Sequence, residues 1–486
     1  MAERSHLPKR LGCAYRRTAW ILFAAVLAMM PLAAQAQSLV RDAEIEHVLR
    51  GYGEPLWKAA GLKPGDIDLY LVNDPDINAF VAGGQNLFIN TGTILQLDRP
   101  REIIGIMAHE TGHISGGHLA RSAEGVSNAM VPMIIGTLLG IAAAAGGSPD
   151  AAMGAMLGGQ QIAERSYLAF TRTQEASADQ AGVKFLNATH QSARGMLDVF
   201  QGFADDEILS DRPINPFLQS HPLSQERIAA LEHDVNASPY ADVPEPPDQV
   251  KTYNRIRAKL VGFLSRPDQV MRKYPLSDTS INARYARAIA YYRIPDLDKA
   301  LPEIESIIAE EPENPYFYEL KGQMLFENGR VKEAVPAYEQ SVRYAPNEPL
   351  LKTSLGQALI ATDDLSLNKR ALDSLEGALR TDPENPLGWH QLAIAYARDG
   401  KMGMAELATA ERYSREGAGL DAVVHAHHAF CQLPAGSPAW RRAQDIMSTM
   451  KAGAPRNKKY AKYQDDEAGD GCTREHGSDR SDRGGT

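Results

Sequence analysis

The chain has 486 residues, 44% of them apolar and 23% charged, so it is globular and long enough for two or three domains. Its formal net charge of −10 supplies no excess of basic residues for a phosphate backbone, which argues against a nucleic-acid partner. Three cysteines are too few for a fold that depends on disulfides.

Residues 1–36 read as a secretory signal peptide. Lys9, Arg10, Arg16 and Arg17 precede the apolar run Ala19 to Leu32, and Ala34-Gln35-Ala36 offers a small-x-small cleavage site. Removal takes away five basic residues and one acidic, leaving −14, and only Cys431 and Cys472 remain to pair in an oxidising compartment. From Asp42 a helix is expected through Trp57, followed by a strand over 67–72 that stops at Asn73-Asp74-Pro75. Asn78 to Phe80 and Asn86 to Asn90 fit a hairpin turned at Gly83-Gly84. An edge strand there could hold an extended substrate through backbone hydrogen bonds, although core strands are the plainer reading.

Ile103 to His118, IIGIMAHETGHISGGH, contains an H-E-x-x-H at His109, Glu110 and His113. Asp98 can cap a helix there, Pro100 fits its first turn, and Ile103, Ile104 and Met107 give it an apolar face. Residues four apart lie one above the other on a helix, so both imidazoles reach one point, as tetrahedral zinc requires. Glu110 lies about 100° around the helix, off the metal and placed to take a proton from a water that the metal activates. The pattern with a third histidine ten positions after the first fails: position 119 is Leu, and His118 falls one residue early. His118 therefore reads as a polar residue near the helix end. The segment TRTQEASADQAGVKFL instead offers Glu175 as third ligand. Asp179, four residues on, can hold a ligand histidine by its other ring nitrogen. Ala176, Ala178, Ala181 and Gly182 are small enough to let two helices touch.

Between these segments AMVPMIIGTLLGIAAAAGG and AAMGAMLGG are the most apolar stretches after the signal. Pro132, Gly136 and Gly140 interrupt the first, no basic cluster flanks it in sequence, and Ala151 to Gly159 is too brief to cross back. The expectation is a hairpin over 129–159 that touches a membrane or covers the active site, with a single-pass span as the lesser alternative. Downstream, Asn215 to Leu223 reads as a loop, and Ser224 to Glu232 as a helix start.

The HETGH motif, the EASADQAG segment and the upstream NAFVAGGQNLFINTG block resemble the HtpX-type gluzincin peptidases. The similarity runs from about residue 40 to 415, since the repeats described next are coupled to the peptidase as in periplasmic members that assist outer-membrane β-barrel assembly. The resemblance implies one Zn²⁺ per subunit on His109, His113 and Glu175, with Glu110 as general base. His221-Pro222, separated from Arg227 by four residues, resembles the family's H-P-x-x-x-x-R element. His221 is then an oxyanion donor, or a regulatory fourth zinc ligand that keeps the enzyme idle, against the plainer reading of a surface-loop histidine. Arg227 is a candidate partner for a site carboxylate.

Pro244 to Pro247 reads as a linker. Beyond it Pro312, Pro346 and Pro383 recur at spacings of 34 and 37 in the frames PENP, PNEP and PENP. Ala288, Tyr291 and Ala300 are echoed by Gly322, Leu325, Ala334 and Tyr338, by Gly356, Leu359, Ala371 and Leu375, and again by Trp389, Ala393, Tyr396 and Ala405. This is the tetratricopeptide signature, and four such units stack into a curved array that binds segments of other proteins. His425 and His428 can share a helix face, but no third ligand accompanies them in sequence. Residues 461–486 read as a disordered tail.

The expected architecture is an α+β zincin-like metallopeptidase domain over 37–245, linker helices over 246–280 and an all-α tetratricopeptide-repeat array over 281–460. The expected activity is periplasmic, peripherally membrane-associated, zinc-dependent hydrolysis of misfolded or stalled outer-membrane proteins. In that reading the repeats engage the outer-membrane assembly machinery. The alternative is a chaperone or assembly scaffold whose protease site is blocked by His221.

Overall fold

The computed structural model describes residues 38–145, 148–209, 216–453 and 472. The expected signal peptide and, Cys472 apart, the expected C-terminal tail lie outside the described residues. A four-stranded mixed sheet is built from β1 (Leu39–Val40), β2 (Asp68–Val72), β3 (Ala79–Ala82) and β4 (Asn86–Asn90), in the order β1-β2-β4-β3. β2 runs parallel to β4 with Leu71 opposite Ile89, and β3 runs antiparallel to β4 with Val81 opposite Leu87. The hairpin turns at Gly83 and Gly84, both at positive φ (58° and 108°), where a side chain would be strained. Alternation sends Leu69, Leu71, Leu87 and Ile89 into the core, while Phe88 stacks between Tyr70 and Phe80 on the other face.

Helix α1 (Ala43–Ala59) is capped by Asp42, which accepts from the Ile45 N–H at 3.0 Å. It buries Ile45, Leu49, Leu56 and Trp57 in the same core as the sheet. After α2 (Thr91–Gln96) comes α3 (Pro100–Gly116), the H-E-x-x-H helix. Asp98 does not cap it: Arg99 holds the cap position, and Glu102 reaches back to the Asp98 and Arg99 N–H groups at 2.8 and 3.0 Å. Asp98 is drawn instead to Arg257, 2.8 Å away.

The apolar middle of the chain forms an antiparallel pair, α4 (His118–Ala145) and α5 (Pro149–Ala188). The return arm is far longer than the apolar stretch Ala151 to Gly159, because the helix continues without a break to Ala188 and carries Glu175 on its way. Glycines set the contact: a Cβ on Gly136 would lie 2.6 Å from the Ala155 carbonyl oxygen and 2.7 Å from Gly159 Cα. Helices α6 (Arg194–Leu209), α7 (Pro216–Ser220) and α8 (Gln225–Ala237) complete the domain. Part of the expected loop before His221 is thus helical, and α7 closes on the His221 N–H, which donates to the Phe217 carbonyl at 2.8 Å.

From α9 (Pro247–Leu264) onward the chain is helical: α10 (Pro267–Lys273), then the pairs α11/α12 (Ile281–Arg293, Leu297–Glu310), α13/α14 (Pro315–Glu327, Val331–Tyr344), α15/α16 (Pro349–Ala361, Asn368–Leu379), α17/α18 (Pro386–Arg398, Met402–Arg415) and α19/α20 (Gly419–Gln432, Pro438–Gly453). The repeat glycines sit where paired helices meet: a Cβ on Gly322 would lie 2.9 Å from the Tyr338 ring, and one on Gly356 2.5 Å from Leu375. A further helix pair follows the four recognised in sequence, and Cys431 in it is disulfide-bonded to Cys472.

α9 belongs to two cores at once. Tyr253, Ile256 and Leu260 pack with the peptidase core, while Ala258 and Val261 pack with Ala286 and Ala290 of α11. A buried charge cluster reinforces this junction. Glu44 of α1 accepts from the Tyr285 hydroxyl at 2.8 Å and pairs with Arg255, and Lys259 reaches Asp42 at 2.8 Å and Glu44 at 3.4 Å.

Candidate metal centre

The site is assembled where α3 and α5 cross with their backbones in contact. A Cβ on Gly112 would lie 2.7 Å from the Ala178 carbonyl oxygen, and one on Gly182 3.3 Å from Ala108. On the far side a Cβ on Gly105 would meet the Met196 backbone nitrogen of α6 at 2.5 Å. Only small residues permit so close a crossing, and it sets Glu175 and Asp179 against the two histidines of α3.

Four groups converge: His109, His113, Glu175 and His221. The His109 Nε2 atom lies 3.1 Å from His113 Nε2, 3.3 Å from His221 Nδ1 and 3.4 Å from a Glu175 oxygen. His221 Nδ1 is 3.2 Å from both Glu175 oxygens, and His113 Nε2 is 3.5 Å from one of them. A tetrahedron with bonds near the zinc–nitrogen length of about 2.1 Å has edges of about 3.4 Å, which these separations match. The donor set is also one that needs a cation. Burial, followed by the charge of His109, pushes His113 down to about 2, so it presents a lone pair. His109, despite burial, is raised to about 10 by Asp179 and Glu175, whose carboxylates favour positive charge at this point. These residues fit a tetrahedral metal ion.

Around them lies a supporting layer. Asp179 Oδ1 is 2.9 Å from His109 Nδ1. Arg227 forks onto Asp179 at 2.8 Å through both Nε and Nη2, while its Nη1 donates to the Pro222 carbonyl at 2.7 Å and lies 3.2 Å from Glu175. Glu110 is fully buried; neither carboxylate oxygen has a hydrogen-bond partner, and one lies 3.3 Å from His221 Nε2. Burial raises its pKa, which suits a group that accepts and returns a proton. Phe217 packs on the His221 ring at 4.7 Å and Phe200 on His109 at 5.6 Å.

His118 has a place the sequence reading missed. Gly117 takes the left-handed conformation (φ 62°), the chain reverses into α4, and the buried His118 ring returns to put Nδ1 3.0 Å from His113 Nδ1. Gly116 makes room for it, since a Cβ there would meet the His118 ring at 2.4 Å. The signal was the Gly116-Gly117-His118 run. At the other end of the molecule Glu406 of α18 lies 2.7 Å from His425 and 3.6 Å from His428, so a third group does accompany those histidines, supplied by the preceding helix.

Comparison with known proteins now bears on this geometry. Residues 41–235 match the model of Peptidase family M48, and residues 285–349 match that of the Tetratricopeptide repeat. The chain carries an M48 metallopeptidase domain. The M48 match contains all four converging groups and Glu110. The chain is also 23% identical over 433 residues to the Beta-barrel assembly-enhancing protease of Yersinia pestis, covering 88% of this chain and 87% of that one. The protein of the same name from Escherichia coli (strain K12) is 23% identical over 431 residues, 87% of this chain and 86% of its own. A Putative beta-barrel assembly-enhancing protease of Vibrio cholerae is 24% identical over 379 residues, 77% of each. An M48 domain with a small mixed sheet, followed by a helical repeat array, is the architecture expected from the sequence.

Proposed function

We propose that the chain is a zinc-dependent endopeptidase of the bacterial periplasm that cleaves misfolded or stalled outer-membrane proteins. Its repeat array engages protein partners, including the outer-membrane assembly machinery. The observation that carries the peptidase reading is the convergence of His109, His113, Glu175 and His221 at tetrahedral separations beside a buried Glu110 whose carboxylate accepts no hydrogen bond. The substrate class and compartment rest on the names of the relatives and on the signal-like residues 1–36.

His109, His113 and Glu175 would hold one Zn²⁺, with Asp179 fixing the tautomer of His109 and Arg227 fixing Asp179. When bound, the ion supplies Lewis-acid polarisation of a peptide carbonyl and lowers the pKa of water. Glu110 takes the proton of the attacking water and returns it to the leaving amine, a role helped by its raised pKa and dry surroundings. His221 stands at the fourth corner, within 3.3 Å of both His109 and Glu110, where attacking water would have to come. That contact favours a resting state in which the protease is latent and the protein acts as an assembly factor, and displacement of His221 opens the site.

Glu110→Gln tests the core of this reading. The variant should lose casein cleavage while keeping one zinc per chain and the parent melting temperature. Loss of zinc from it would make Glu110 a ligand and sink the assignment.

A further inference from the structure

We propose that the apolar end of the α4–α5 hairpin enters one leaflet of a lipid bilayer and holds the metal centre at a set height above it, so that the peptidase cuts polypeptide emerging from that surface. The height clause rests on the peptidase reading; the lipid clause does not.

Among the described residues, α4 is the one helix long and apolar enough to cross a membrane, and it is not a core helix. Most of the large exposed hydrophobic side chains of the described residues lie on this hairpin, with Leu138 61%, Leu139 59% and Met153 60% exposed. Their directions decide the nature of the partner. At 100° per residue, the exposed side chains from Met133 to Ile141 sweep an arc of about 240°, whereas a helix facing one protein surface needs a stripe of about 100°. The remaining arc, at Gly136 and Gly140, is closed by α5. Apolar surface on every free side matches a lipid environment and does not match a single docking groove.

The packing register gives depth. Gly125 lies on Phe170 and Gly136 on Gly159, so Arg165 is level with Met130, Gln161 with Ile134, and Glu175 with Ala120. Between Ile134 and Gln160 the sequence holds a single ionisable residue, Asp150. From Ile134 to Ala145 the hairpin rises about 16 Å, half of a hydrocarbon core of about 30 Å, so it suits one leaflet and not a span. Arg165 is exposed about 6 Å below Gln161, beside the exposed Glu164, while Arg172 and Arg121 lie about 17 and 20 Å below it, near the level of Glu175. Among the described side chains of the hairpin base, Arg165 is the arginine at headgroup depth.

Glu175 lies 14 residues below Gln161 on α5, about 21 Å along the axis. A cleft of about 380 Å³ leads to it, opening between Leu168 and Arg172 of the hairpin base and the segment Pro222 to Glu226 that follows His221. The cleft thus runs from Glu175 to Leu168, about 10 Å along α5 toward its apolar end. A chain leaving the membrane needs about six extended residues to reach the metal centre.

The test uses mature Glu110→Gln protein from residue 37 to 486, expected not to digest itself, and vesicles of phosphatidylethanolamine and phosphatidylglycerol at 3:1. The protein should float with the vesicles, and L138D/L139D should reduce the bound fraction at least tenfold without moving the melting temperature. L138W should show a blue-shifted emission that brominated acyl chains quench, and Asp150→Asn should tighten binding at neutral pH. Protein that stays unbound, or L138W emission unchanged by vesicles, overturns the proposal. So does equal binding by L138D/L139D, which would assign the surface to a protein partner. The height is read with Glu110 restored, on vesicle-anchored peptides with spacers of two or ten residues. Only the longer should be cleaved, and equal cleavage refutes the height. Casein cleavage by L138D/L139D at the parent rate keeps failure of the lipid clause separate from failure of the peptidase reading.

Discussion

Substitution of His221 by Ala separates a blocking histidine from a catalytic one by the sign of the rate change. In the closed arrangement His221 Nδ1 lies 3.3 Å from His109 Nε2 and 3.2 Å from Glu175, and its ring packs on Phe217. The position is held by ring contacts with Phe217, His109 and His113, each worth about 0.5–1.5 kcal/mol, and by occupation of the fourth corner. The N–H bond to Phe217 O belongs to the backbone and survives the substitution. A closed state favoured by about 1–3 kcal/mol leaves the open, competent form at the reciprocal of a 5- to 150-fold bias. His221→Ala should therefore raise casein cleavage and self-cleavage 5- to 150-fold at equal zinc content, checked by metal analysis of each preparation. An oxyanion donor would behave oppositely, with a loss of about 100- to 1000-fold. A fall in rate refutes the latent arrangement, and an unchanged rate removes His221 from the mechanism.

Arg227→Ala strips the buried Asp179 of its forked partner, so stability should fall by about 3–5 kcal/mol in a denaturant titration. Zinc affinity should fall about 10- to 100-fold, measured by chelator competition, and Arg227→Lys, which cannot fork, should rescue little of either. Glu44→Ala leaves Lys259 and Arg255 facing an empty buried site, with a cost of about 3–5 kcal/mol at pH 7. Burial opposes the charge on Glu44, but Lys259 and Arg255 win and hold its pKa below the ordinary value. The stability it contributes is thus present above the unfolded value and lost as pH falls through the folded one, so parent and variant melting temperatures should converge in acid. Glu319 has the opposite sign: burial, only partly offset by Lys259, raises it to about 7, so its ionised form costs stability as pH rises from about 4.5 to 7. Glu319→Gln should raise the melting temperature at pH 8 and leave it nearly unchanged at pH 4, with a gain on the order of 1–3 kcal/mol at the higher pH. A larger gain at pH 4 would reverse the sign and refute the assignment.

Much of this arrangement is legible in sequence because its determinants are local or periodic. The i, i+4 spacing of His109 and His113 needs only a helix, and a helix follows from Pro100 and the apolar face of α3. The small residues around Glu175 and Asp179 announce a close crossing, and the crossing is what brings them to the histidines. The repeat glycines announce the helix pairs in the same way. What sequence hides is contact across distance. His118 reaches His113 only because Gly117 adopts a left-handed turn, and Glu406 meets His425 only because neighbouring helices of the array align. Arg121 and Arg172 lie 51 positions apart and come to nearly one level only once α5 returns along α4.

The same kind of contact ties the repeat array to the chemistry. Glu245, just ahead of α9, accepts from the Arg101 N–H and the Arg99 side chain, each at 2.8 Å, at the first turn of α3. At its other end α9 meets the first repeat helix through Gly262, where a Cβ would lie 2.9 Å from Ile289. Tyr253, midway along, donates to the Ile94 and Leu97 carbonyls just before α3. One helix, α9, therefore touches both the array and the segment that leads into the helix bearing His109, Glu110 and His113. The segment that bears His221 lies on the same route, since α8 joins α9 through residues 238–246 and starts at the Ser224 cap, three residues after His221. The segments that bear the proposed metal ligands and His221 are thus both joined to α9, the helix that also meets the first repeat.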